Sequence, residues 1–153
     1  MKASRLLLGI GSPIVCDDGL GFRVVEEIKN MNLPDLDTDQ QSVSGLDLIE
    51  IMMDYKKVVV VDAIVTEKYP AGTVMLLEPE DFKNALHGTN PHETNIHMAI
   101  ELGKRLFPGR MPTDIQFIAV EVNDVYTVTD VMTEDVEKAV PAAVQATLKV
   151  LND

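Results

Sequence analysis

The sequence predicts an α/β fold, a three-layer α/β/α sandwich around a mostly parallel, twisted central sheet of about five strands. Two observations carry this. Leu6-Leu7-Leu8 and Val58-Val59-Val60-Val61 are continuous apolar runs, too short for helices, as strands covered on both faces are. Between the strand-like segments lie stretches whose apolar residues recur at helical spacing. A length of 153 residues suits a single domain spanning 1–153, large enough for a core without disulfides or a structural metal.

The elements follow in order. Arg5 to Gly11 is the first strand, ending in glycines. From Asp18 to Met31, Leu20, Phe22, Val24, Val25, Ile28 and Met31 recur at helical spacing, with Glu26, Glu27 and Lys29 on the other side. Leu36 to Val43 alternates weakly, as an edge strand does. Ser44 is positioned to cap a helix from Gly45 to Tyr55. Val58 to Ile64 is the clearest strand, and the acid near its end, Asp62, falls where open parallel sheets bind ligands. Tyr69 to Gly72 forms a turn, Thr73 to Leu77 a strand, and Gly88 to Asn95 a polar loop holding His92. A helix from Ile96 to Phe107 stops at Pro108-Gly109. Asp114 to Val120 is the last strand and Glu121 to Val131 a polar connection. The final helix runs from Thr133 to about Leu151, and Pro141 predicts a kink or local break in it.

Charge and composition exclude several classes. A net charge of -12 without a Lys/Arg cluster would repel a phosphate backbone, so no nucleic-acid partner is expected. Cys16, the one cysteine, cannot form an internal disulfide. The early apolar run is too short for a signal peptide, and none approaches the ~20 residues of a membrane span. A cytoplasmic protein with no membrane partner is expected.

Chemistry concentrates at Gly9 to Gly21. A strand followed by Gly9-Ile10-Gly11 suggests a dinucleotide fingerprint, but Ile14 stands where the third glycine belongs. Asp17 and Asp18 would also repel a pyrophosphate at a helix entrance. Acids in a first turn ordinarily cap it, and Asp17 suits that role while Asp18 points into the crevice. If the first and Val58 strands are parallel neighbours, Asp18 and Asp62 converge, and a divalent metal or a shared proton resolves their repulsion. Of His87, His92 and His97, the loop residue His92 can swing over the sheet end. Two carboxylates and one imidazole suit a borderline divalent ion such as nickel or zinc. No HExxH, CxxC or GxSxG motif occurs. Cys16, beside the acids, should have a raised thiol pKa and serve as a packing residue.

Leu8-Gly9-Ile10-Gly11, Asp17-Asp18-Gly19-Leu20-Gly21, Val61-Asp62-Ala63 and Pro91-His92, in this order, resemble the hydrogenase maturation endopeptidases that process nickel-iron hydrogenase large subunits. The resemblance runs through nearly the whole chain, including Ser44 to Ile49 and the final helix. It implies a cytoplasmic protease that removes a C-terminal peptide from the large-subunit precursor after nickel insertion. The family's metal-contacting and catalytic positions fall on Asp18, Asp62 and His92. Nickel would be presented by the substrate, and other divalent ions fit the same donors. Ser12-Pro13 replaces the usual Asn, and Gln40-Gln41-Ser42-Val43 a frequent Asp-Gly-Gly-Thr, departures that bear on which hydrogenase is processed. Asp39 partly replaces the missing acid. The alternatives are a non-catalytic nickel-binding or docking protein for the large subunit, and an unrelated small hydrolase or binding domain of the same layered fold.

Overall fold

The computed structural model describes residues 2–42, 45–81 and 91–153, with side chains throughout these ranges except 91–95. Five strands form one sheet: β1 (Arg5–Ile10), β2 (Leu36–Gln41), β3 (Lys57–Ile64), β4 (Val74–Leu77) and β5 (Asp114–Glu121). Their spatial order is β2-β1-β3-β5-β4, parallel except for β4 against β5. The helices are α1 (Leu20–Lys29), α2 (Asp47–Met52), α3 (Pro91–Leu106) and α4 (Glu134–Asn152), and a 3-10 turn, Cys16–Gly19, precedes α1. No helix of the described residues is long and apolar enough to cross a membrane.

The sheet is covered on both faces, which is why its central strands lack polar alternation. All eight residues of β3 are buried. Leu6, Leu8, Ile10, Val58, Val60 and Ile64 pack with α2 and α3 in one core. Leu7, Val59, Val61 and Ala63 pack with α1 and α4 in the other. The predicted three-layer sandwich is therefore the observed architecture. Buried Lys57 at the amino end of β3 is satisfied by the Asp153 carbonyl at 3.0 Å and the Asp114 carboxylate at 3.5 Å.

The helices differ from the sequence reading in several places. The segment from Asp18 opens as the 3-10 turn, and the α-helix begins only at Leu20. The second helix is shorter than Gly45 to Tyr55: Met53 turns extended, and Asp54 takes a positive φ of 69° while its N–H donates to the Arg110 carbonyl at 2.7 Å. Its expected cap, Ser44, lies outside the described residues. The third helix begins at Pro91 rather than Ile96, so the backbone of His92 is helical instead of part of a loop. Proline without an N–H suits a first helical position, where that donor has no intrahelical acceptor. Finally, α4 runs unbroken through Pro141. Pro141 is on its exposed side, while Ala139, Val140, Ala143 and Val144 are buried against the sheet and outweigh the lost hydrogen bond.

Candidate active site

The glycines of the first loop serve close backbone approach, not phosphate binding. Gly11 has φ +145°, and a Cβ there would lie 2.0 Å from the Asp18 carbonyl oxygen. A Cβ on Gly21 would lie 2.5 Å from the Val61 carbonyl oxygen and 2.8 Å from that of Ile10. The start of α1 is thus seated directly on the carboxyl ends of β1 and β3. The Ser12 N–H donates to the Asp18 carbonyl at 3.2 Å, and the Asp18 N–H to the Val15 carbonyl at 3.0 Å, closing the loop on itself.

Asp18 is half-buried in the 3-10 turn, and that turn packs against β3. Parallel pairing aligns Gly9 with Val61, so the next residue of β3, Asp62, stands level with the end of β1. Asp62 is 2% exposed and by strand alternation shares the face of Val60 and Ile64, the face covered by α3. The structure therefore brings the Asp18 turn onto the strand end that carries Asp62. His92 has its backbone one turn before Ile96, a core residue of that face, and its side chain lies outside the described residues. His87 lies outside them as well. His97 sits within α3, its Nδ1 buried with no partner among the described residues. Among the described residues, no group of three or more His, Cys, Asp or Glu is placed to hold a metal ion.

Asp17 does not cap the turn it belongs to. No side chain caps the 3-10 turn or α1. Asp17 is instead 0% exposed and its carboxylate accepts from the N–H groups of Asn123 at 3.1 Å, Asp124 at 2.9 Å and Thr133 at 2.7 Å. The Thr133 hydroxyl donates to it too, at 2.9 Å, and Thr133 is the residue that opens α4. A buried carboxylate needs such donors to offset its lost hydration. The Asp17 N–H in turn donates to the Asp124 carbonyl at 2.9 Å. Glu121, placed by the sequence reading at the start of a polar connection, is the buried last residue of β5. It accepts from the Thr66 hydroxyl and N–H and fixes the loop after β3. Neither role has a local sequence signal, since the donors come from distant segments.

Cys16 is buried with φ +49°, and burial first, then the charges of Asp17 and Asp124, push its thiol pKa up. This agrees with a packing role. The Asp124 carboxyl is held below the usual range by the Thr127 hydroxyl, then by the Thr127 and Tyr126 N–H groups.

A family model described as HycI, hydrogenase maturation protease, matches residues 22–150. Asp62 and His92 lie within that range and Asp18 just before it. The hydrogenase 2 maturation protease of Escherichia coli K12 is 29% identical over 121 residues, 75% of this chain and 71% of that protein. The solved structure of the hydrogenase maturating endopeptidase HybD from E. coli superposes with a TM-score of 0.84 at 23% identity, covering 97% of this chain and 91% of the other. The NiFe hydrogenase maturation protease HybD from Thermococcus kodakarensis gives a TM-score of 0.76 at 20% identity, over 95% and 97%. These two structures share the fold, and the family model spans most of the chain with two of the three candidate residues inside it. The chain belongs to the hydrogenase maturation protease family, a family of hydrolases.

Proposed function

We propose that the protein is an endopeptidase that removes the C-terminal extension of a nickel-loaded nickel-iron hydrogenase large-subunit precursor in the cytoplasm, using Asp18, Asp62 and His92. The observation that carries this is the seating of the Asp18 turn on the end of β3, beside buried Asp62. Two hard oxygen donors and an imidazole suit a borderline divalent ion, so the donor set fits nickel presented by the substrate. Nickel there would act as a Lewis acid on the scissile carbonyl or the attacking water. Asp62, held by a strand buried on both faces, keeps one carboxylate fixed. Asp18, half-buried, is open enough to take a proton from water as general base. His92 would supply the third donor to the ion.

Membership of a protease family favours cutting over docking without cutting. Incubation with nickel-loaded and nickel-free precursor, read by mass, tests the reading. Only the loaded form should lose its extension, and Asp18→Ala, Asp62→Ala and His92→Ala should each slow the loss at least ~100-fold. Cleavage of both forms would refute nickel recognition. Cleavage of neither would refute the peptidase.

A further inference from the structure

The loop after β5 is anchored at both ends in the core and braced by its own hydrogen bonds, yet leaves several apolar side chains exposed. Val122 is buried, and Val125 and Met132 pack against the core. The span between is held by hydrogen bonds: Asp124 accepts from Tyr126, Thr127 and the Thr127 hydroxyl, and the Val131 N–H donates to the Thr129 hydroxyl. Asp17 grips both ends, at Asn123 and Thr133. Yet Tyr126 is 84% exposed, Val128 78% and Val131 68%. The loop is also stitched to the turn that leads to Asp18: the Cys16 N–H donates to the Thr129 carbonyl at 3.0 Å and the Thr129 N–H to the Ile14 carbonyl at 2.9 Å. Ile14, 59% exposed, thereby joins the same ridge.

A fixed loop that presents apolar side chains to water has arranged a contact surface in advance, at little further cost in ordering. The ridge is hydrogen-bonded to the segment that leads into the Asp18 turn, which sets it beside the path of a polypeptide brought to Asp18. We propose that Ile14, Tyr126, Val128 and Val131 form the docking ridge for the precursor, receiving an apolar segment of that polypeptide. With Asp130 exposed on the ridge and a net charge of -12, the segment it fits is flanked by Lys or Arg rather than by acids. The choice of occupant rests on the peptidase reading above.

Binding of nickel-loaded precursor, titrated against the intact protein, tests the ridge independently of cutting. The double variant Tyr126→Ser/Val128→Ser and the single variant Ile14→Ser should weaken Kd, the double by roughly tenfold or more. Leu76→Ser, an exposed apolar residue on edge strand β4 and not part of the ridge, should leave it unchanged. Unchanged Kd in both ridge variants, an equal loss in Leu76→Ser, or no binding by the native protein overturns the proposal. So does a native dimer that dissociates in the ridge variants, which would make a second copy the occupant. Mass analysis of the same mixtures keeps the two readings apart. Cleavage with unchanged Kd removes the ridge and leaves the peptidase, whereas weakened binding without any native cleavage does the reverse.

Discussion

Asp17 and Asp18 are adjacent carboxylates with different tasks, and the difference comes from what each turn of backbone offers them. Asp18 is half-buried in the turn that packs against β3, whereas Asp17 is sealed among donors from Asn123, Asp124 and Thr133. Asp17→Asn keeps the volume but sets an NH2 group against several N–H donors, so stability should fall by about 2–4 kcal/mol, read as a shift in urea midpoint. Asp17→Ala should fall at least as far. The pair was legible in the sequence as acids at a helix entrance, and Asp62 as an acid closing a valine run. The assignment of roles within the pair was not, because Asp17 meets its partners 106 to 116 residues further on, beyond the reach of any local pattern.

The elements read most directly are those whose burial is complete. β1 and β3 have no solvated face, so their sequences carry no polar alternation, and Gly9 and Gly21 mark where backbone meets backbone. The ends of α2 and α3 were less legible for opposite reasons. The stop of α2 depends on Arg110, whose guanidinium also holds the Asp54 carboxylate at 3.0 and 2.6 Å from a distant loop. The start of α3 did carry a signal, Pro91, which the polar residues around it obscured. Close approach gives this scale its prediction. Gly21→Ala drives a methyl into the Val61 carbonyl and should cost about 3 kcal/mol or more, with cleavage reduced in parallel as α1 shifts. Gly45, where an added Cβ would meet nothing within 4 Å among the described residues, should tolerate alanine to within about 0.5 kcal/mol in the same thermal or urea melts.

For the molecule as a whole, the carboxylates that hold its loops also set its response to acid. Asp35 is held low by the Ser4 hydroxyl and N–H, Asp54 by Arg110, and Asp124 by Thr127 and Tyr126. Each folded pKa lies below its unfolded value, so each contribution is present above the ordinary carboxylate range, about 4, and is lost as pH falls through the lower folded value. Stability should therefore decline below about pH 4, and Asp124→Asn should flatten that decline when melting temperature is followed against pH. The layered architecture and the acidic surface were both legible from periodicity and composition. The apolar ridge was not, because Tyr126, Val128 and Val131 sit in a stretch whose polar residues suggest an ordinary solvated connection.

The grip of Asp17 on Thr133 also orders events in time. Synthesis delivers the Gly11–Gly21 loop early, while the groups that neutralise its buried acid belong to the last strand's exit and the opening of α4. A nascent chain that has reached only β5 holds Asp18 in a loop whose anchor has nothing to grasp. The loop before α1 therefore gains its anchor only once translation has passed the opening of α4.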